Sequence, residues 1–249
     1  MRRPARLARN LLAGTAAVVL LAGCHVPGFA TRPAASKQGE VAANLWRGVE
    51  FTALVVGLIV WGLILFVIIR YRQRRNTPED AVPSQREYVV PLEIVYSVVP
   101  LLIVAVLFGF TVVKERKIQA VSAHPDLTVE VTAFQWGWRF AYPGGGPVVV
   151  SEPDRAPPEL VLPDGRTTEI DLTATDVVHA FFVPAFLFQR NAQPGQVTRF
   201  DITPTTLGTF DGHCTTFCGI GHDDMLFTVR VVSPADFQTW LHSGGTAGP

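Results

Sequence analysis

The sequence predicts a membrane-anchored β protein: a two-helix transmembrane hairpin followed by an all-β sandwich. Two uncharged apolar stretches carry the first half of that prediction, residues 51–69 (19 residues) and 94–113 (20 residues). Each is long enough to cross about 30 Å of hydrocarbon as a helix. From about residue 125 the apolar period changes to two, in short runs separated by Pro/Gly turns, which predicts antiparallel strands. A hydrophobic fraction of 48% and a positive mean hydropathy fit a chain that lies partly in lipid.

Taken in order, residues 1–23 read as an export signal. Arg2, Arg3, Arg6 and Arg9 precede an apolar run over 11–21 that is too short to span a bilayer. The run ends Leu21-Ala22-Gly23-Cys24, a bacterial lipobox pattern, so cleavage would leave Cys24 as a lipidated first residue. The alternative is an ordinary signal peptide with an incidental cysteine. Residues 24–45 are expected to form an exported linker, 46–70 the first span, 71–90 a loop and 91–114 the second span. The loop region holds Arg70, Arg72, Arg74, Arg75 and Arg86, which places it in the cytoplasm and both ends of the mature chain outside. Lys114, Arg116 and Lys117 on the outer flank oppose the charge rule, but the export signal and the loop outweigh them. Pro100, Tyr96 and Ser97 interrupt the second span only mildly.

The exported domain is expected over 118–243. Leu127, Val129, Val131 and Ala133 alternate with Thr128, Glu130 and Thr132, and Ile170, Leu172 and Ala174 follow the same rule. A closing helix has Ser233 as N-cap, Pro234 at its first position, Asp236 completing a capping box and Gly244 as its stop. Residues 244–249 are a tail. Charge is uneven: residues 1–113 hold 12 Lys/Arg and 6 Asp/Glu, whereas 114–249 hold 9 and 15. An acidic exported body suits a basic protein partner and excludes nucleic acid as an electrostatic match.

The chemistry is concentrated in Cys214-x3-Cys218-x3-His222-x2-Met225, with His179 upstream in a strand-like run. Thiolate, imidazole and thioether form a soft set that favours copper or zinc over magnesium or calcium. Structural zinc would be complete without the methionine, and a mononuclear blue-copper site needs one cysteine. Two facing thiolates can instead bridge two coppers, with one imidazole capping each. A Cys214–Cys218 disulfide is the plain alternative in an exported protein. The histidine and methionine spacing argues for metal. His213 should point away from Cys214's face by strand alternation. His25, His124 and His242 sit in solvated contexts. No Cys-x-x-Cys-His occurs, so the chain carries no c-type haem.

The runs DVVHAFFVP (176–184), PG (194–195) and FDGHCTTFCGIGHDDM (210–225) resemble cytochrome c oxidase subunit II around its CuA centre, and the resemblance extends over about residues 45–249. It implies a cupredoxin Greek-key sandwich, which periodicity could not separate from an immunoglobulin-like one. It also implies two copper ions bridged by Cys214 and Cys218, His179 and Met225 on one metal, and His222 with the Thr216 backbone carbonyl on the other. The family usually has a glutamate at the position of Thr216, holding magnesium at the boundary with subunit I. Threonine keeps the carbonyl and lacks the carboxylate, so no magnesium ligand is expected here.

Within FQWGWRF (134–140), Trp136 matches the family's surface point where electrons arrive, while Trp138 reads equally well as a core aromatic. Asp176 matches an acidic position for donor docking, with Glu152, Asp154, Glu159 and Asp164 extending an acidic face. Glu93 matches the mouth of a proton channel into subunit I, although a glutamate at a span's edge can also reach water by itself. The implied function is to accept electrons from cytochrome c, soluble or membrane-tethered, and pass them to haem in subunit I. Oxygen is reduced to water there, coupled to proton translocation. The implied partners are subunit I, the other oxidase subunits and the membrane. The implied location is the bacterial cytoplasmic membrane, with two spans and the C-terminal domain outside. A CuA subunit of a nitric oxide reductase and a membrane-anchored copper-delivery protein remain alternatives. A quinol oxidase subunit would lack Cys214, Cys218 and His222.

Overall fold

A computed structural model describes residues 32–72, 88–152 and 155–245. The export signal with Cys24, Asp154, most of the interhelical loop and the last four residues lie outside the described residues. Two long helices are followed by ten strands and a short closing helix.

Helix α1 runs Lys37–Arg70 and α2 runs Val90–Ile118, and both are long and apolar enough to cross a membrane. With 34 residues, α1 is about 51 Å long at 1.5 Å per residue, well beyond the thickness of hydrocarbon. Its first turns carry Lys37, Glu40, Arg47 and Glu50, so its uncharged stretch begins only after them. An uncharged run marks only the apolar part of each helix, so α1 begins inside the expected linker 24–45 and α2 continues beyond residue 114. Ser36 caps α1 by accepting from the Gly39 N–H at 3.0 Å. The start of α2 has no side-chain N-cap, but Glu93 reaches back to accept from the Val89 N–H at 3.3 Å. Pro100 inside α2 removes one helix hydrogen bond.

The β domain is a sandwich of two five-stranded sheets. Strands β1 (Leu127–Phe134), β2 (Gly137–Ala141), β3 (Val148–Val150), β5 (Thr168–Ala174) and β8 (Thr198–Ile202) form one, in the order β3-β2-β1-β5-β8. Strands β4 (Glu159–Pro163), β6 (His179–Val183), β7 (Phe188–Ala192), β9 (Gly208–Cys214) and β10 (Leu226–Val232) form the other, in the order β4-β10-β9-β6-β7. The expectation of a purely antiparallel sandwich is corrected: β1 runs parallel to β5, and β4 parallel to β10. Alternation reports which face is buried and carries no information on strand direction, which the crossing of β4 to the second sheet reverses.

Between the sheets, the Phe181 and Phe227 rings stack at 4.8 Å and Trp138 lies edge-on to Phe227 at 5.0 Å. Each such buried aromatic stabilises the fold by about 1.5–3 kcal/mol. Trp138 is fully buried and is therefore a core residue. Helix α3 (Pro234–His242) starts at Ser233, whose Oγ accepts from the Asp236 N–H at 3.1 Å, and packs Trp240 edge-on against Tyr142 at 4.9 Å. The Tyr142 hydroxyl accepts from the Val161 N–H and donates to the Val161 carbonyl, both at 2.8 Å, tying β4 to the core. Burial raises its pKa and keeps it neutral.

The segment before α1 is bound to the sandwich. The Ala35 N–H donates to the Ala185 carbonyl (2.8 Å), the Thr205 N–H to the Ala35 carbonyl (2.9 Å) and the Lys37 N–H to the Thr203 carbonyl (2.9 Å). The Ser36 hydroxyl donates to the Phe186 carbonyl at 3.2 Å, and Gln38 Oε1 accepts from the Thr203 N–H at 3.0 Å. After α2, the Ser122 N–H donates to Asp201 Oδ2 at 2.7 Å. Both membrane helices are thus tethered to the sandwich. A side chain added at Gly39 collides with the Phe186 carbonyl, whereas one added at Gly57 meets nothing. Gly39→Val is therefore expected to loosen the joint by about 2 kcal/mol, roughly 30-fold faster hydrogen exchange over residues 33–38. Gly57→Val is expected to leave that exchange unchanged.

Candidate metal centre

The centre lies at one end of the sandwich, where β9 stops, β10 starts and β6 begins. Cys214 is the last residue of β9, and its N–H donates to the Met225 carbonyl at 3.1 Å, just before β10. The intervening loop carries Thr216, Cys218 and a single 3₁₀ turn over Ile220–His222. His179 is the first residue of β6, and the pairing of Phe181 with Cys214 brings β6 beside β9.

The two thiol sulfurs are 3.9 Å apart and are not bonded. That excludes a disulfide, whose sulfurs lie about 2.05 Å apart, and matches two sulfurs that share a metal with bonds of about 2.3 Å. Cys218 Sγ also lies 3.6 Å from His222 Nδ1 and 3.9 Å from Met225 Sδ. The Thr216 carbonyl is turned toward Cys214 Sγ at 3.2 Å. One ligand atom from each of His179, Cys214 and Cys218 falls within 4.8 Å of the others, and all three residues are buried.

His179 is the most telling of these groups. It is 0% exposed, its Nε2 lies 2.8 Å from Asp176 Oδ1, and its Nδ1 is buried without a partner. A carboxylate acceptor requires the proton on Nε2, and in the neutral imidazole that leaves a bare lone pair on Nδ1. An unpaired buried acceptor costs about 1–3 kcal/mol, and a metal at this position removes the cost. Burial, and after it the adjacent Cys214, push the Cys218 thiol up to about 11. A bound cation reverses that preference by stabilising the thiolate. Nitrogen, thiolate and thioether donors in a dry pocket fit copper.

Asp176 holds His179 in place. Burial acts to raise its pKa, but hydrogen bonds from His179, Val177 N–H and Gln135 N–H outweigh it and hold the carboxyl below its ordinary value. Such a carboxylate fixes a ligand's tautomer and ring angle, a role the sequence reading missed. The signal was a carboxylate three residues before the histidine. Trp136 is 42% exposed and its Nε1 donates to the Cys218 carbonyl at 3.2 Å, so it touches the centre on one side and solvent on the other. Gly219, with φ 120°, and Gly221 lie beneath the indole, where an added Cβ would come within 2.9 and 2.7 Å of the ring. The Gly-Ile-Gly spacing was legible, but its reason was not.

The remaining groups separate clearly. The His213 ring meets Phe182 edge-on at 5.1 Å and stays outside the cluster, as strand alternation requires. The His242 ring lies against the Gln238 carbonyl, and His124 is exposed. Glu152 pairs with Arg155 and Glu159 with Arg230, so part of the expected acidic face is neutralised. Asp223 and Asp224 are exposed beside His222.

A two-helix membrane anchor bearing a β-sandwich with a soft-metal loop is the class of protein that fold and site define. Residues 154–232 match the profile of the cytochrome c oxidase subunit II periplasmic domain. The chain is 37% identical to a probable cytochrome c oxidase subunit 2 of Streptomyces avermitilis, over 96% of this chain and 88% of that protein. It is 32% identical to cytochrome c oxidase subunit 2 of Mycobacterium tuberculosis, over 96% of this chain and 82% of that one. The solved periplasmic domain of cytochrome oxidase subunit II from Bradyrhizobium japonicum is 30% identical, with a TM-score of 0.45 over 50% of this chain and 96% of that domain. The chain belongs to the cytochrome c oxidase subunit II family.

Proposed function

We propose that this chain is the electron-accepting subunit of a respiratory haem–copper oxidase, taking electrons from a c-type cytochrome at a dinuclear copper centre and passing them to haem in subunit I. The observation that supports this best is the unpartnered His179 Nδ1 beside two unbonded thiols 3.9 Å apart. Cys214 and Cys218 would bridge, His179 and Met225 would hold one copper, and His222 with the Thr216 carbonyl would hold the other. The bound pair supplies a one-electron store whose charge is shared over two metals. The protein supplies rigidity, because strand ends and a short turn fix the donors, and Asp176 fixes His179. Oxygen reduction and coupled proton translocation belong to subunit I. No magnesium ligand is assigned, since Thr216 offers no carboxylate.

Trp136 is the proposed point of electron arrival. Asp176 is proposed to assist docking of a basic donor in addition to orienting His179. Glu93 caps the start of α2, and its proposed service at a proton channel is additional to that contact. The sandwich is proposed to lie on the outer face of a bacterial cytoplasmic membrane, with Cys24 proposed as a lipidated first residue after removal of 1–23.

The copper reading is tested on the purified full-length chain. It is expected to take up two coppers and to show a delocalised seven-line EPR pattern. Cys214→Ser or Cys218→Ser should abolish the pattern, because each bridging sulfur serves both metals. Met225→Leu should keep copper bound and shift the potential, as expected of a weak thioether ligand. One copper per chain would overturn the assignment.

Electron arrival is tested by stopped-flow reduction at several salt concentrations. Trp136→Ala should leave donor binding nearly intact and slow transfer within the complex severely. Asp176→Asn should weaken donor binding most at low salt, where the Debye length exceeds about 10 Å. It should also disturb the copper spectrum through His179. Normal transfer in Trp136→Ala would make the indole a packing residue only.

Anchoring is tested by intact-mass analysis. Cys24→Ser should leave a heavier, uncleaved precursor, with activity retained because two spans hold the chain more firmly than an acyl group does. A mature N-terminus elsewhere than Cys24 would remove the lipoprotein proposal.

A further inference from the structure

Gln135 lies in the two-residue turn between β1 and β2 and is exposed, the setting of a solvated glutamine. Its contacts are otherwise. Its side-chain Nε2 donates to the Cys218 carbonyl at 2.7 Å, and its backbone N–H donates to Asp176 Oδ2 at 2.7 Å. Asp176 Oδ1 accepts from His179 Nε2 at 2.8 Å. Gln135 therefore touches both halves of the centre, which come from opposite sides of it: the histidine from β6 and the thiol from the β9–β10 loop. Among the described residues it alone bonds both Asp176 and the Cys218 carbonyl.

The Cys218 carbonyl also accepts from Trp136 Nε1 at 3.2 Å, so two donors share it. It precedes Gly219, whose φ of 120° lets that peptide turn under the indole. A glycine peptide is intrinsically free to rotate, and the indole alone is a single pivot. The carboxamide adds a second fixed point.

We propose that Gln135 is a positioning residue for electron transfer. Its carboxamide locks the Cys218 peptide against the Trp136 indole and holds that thiol in fixed relation to His179. This inference rests on the copper reading above. Without the carboxamide, the peptide can rotate, the indole-to-thiol path lengthens intermittently, and the centre rearranges more when its charge changes.

The test compares Gln135→Met and Gln135→Glu with the wild-type full-length chain. Methionine keeps the side-chain length and the backbone N–H to Asp176 while removing the donor. Glutamate replaces the donor with an acceptor that repels the carbonyl. In the copper-free chain, hydrogen exchange over residues 218–222 should rise about tenfold in both variants, as loss of one hydrogen bond to an ordered carbonyl predicts. In the assembled, copper-loaded oxidase, copper content and donor Kd should stay within twofold of wild type. The EPR hyperfine pattern should broaden or shift, and transfer within the donor complex should slow about tenfold. Because the side chain is exposed, folding is not at stake, and a general structural defect would instead lower copper content. Exchange, line shape and intracomplex rate all equal to wild type would overturn the proposal, as would loss confined to donor binding. If the wild-type chain fails to take up copper, the copper reading falls, and the copper-free exchange measurement still decides whether Gln135 restrains the loop.

Discussion

The centre depends on soft donors being gathered in a dry pocket before any metal arrives. Two thiols at 3.9 Å and a buried imidazole nitrogen without a partner are unfavourable company in apolar surroundings. Burial and the adjacent thiol raise Cys218's pKa because neither thiolate nor crowding is welcome there. The sandwich tolerates this because its aromatic core and paired sheets stabilise the strand ends that carry the donors. A bound cation would remove that cost, so the fold pre-organises a site whose stability a metal would complete.

Around that centre the second layer of contacts follows one logic, that each donor is held by something rigid. Asp176 fixes the tautomer of His179, and the Met225 carbonyl closes the strand end at Cys214. Trp138 donates to that same carbonyl from the core at 3.4 Å, connecting the packing of the sandwich to the position of Met225. The two tryptophans of one short motif therefore divide their labour. Trp138 is buried against Phe181 and Phe227, whereas Trp136 bridges the centre and solvent above a pair of glycines that leave room for it.

The joint between helices and sandwich extends the same rigidity to the two long helices. How the sandwich is carried fixes where the centre stands relative to α1 and α2. Hydrogen bonds at Ala35, Ser36, Lys37 and Gln38 tie the start of α1 to the turn after β6 and to the end of β8, and Asp201 ties the segment after α2. The polar first turns of α1 are the part of the helix that these hydrogen bonds hold against the sandwich.

The sequence by itself determined the two long apolar helices, the period-two strands, the α3 cap at Ser233 and the run of soft donors around Cys214 and Cys218, because each is written in local spacing or residue chemistry. It also separated His213 from that cluster, since alternation along a strand is local. Tertiary structure alone decided what depends on distant segments meeting. The parallel β1–β5 and β4–β10 pairs follow from the path between sheets, which periodicity does not encode. The early start of α1 follows from a docking partner some 150 residues away in sequence, as in the Ser36–Phe186 contact. Asp176 and Gln135 look like surface polar residues in one dimension. They acquire roles only when β6 and the β9–β10 loop place His179 and Cys218 against the same turn, because a hydrogen bond needs its partner within about 3 Å, whatever their separation along the chain.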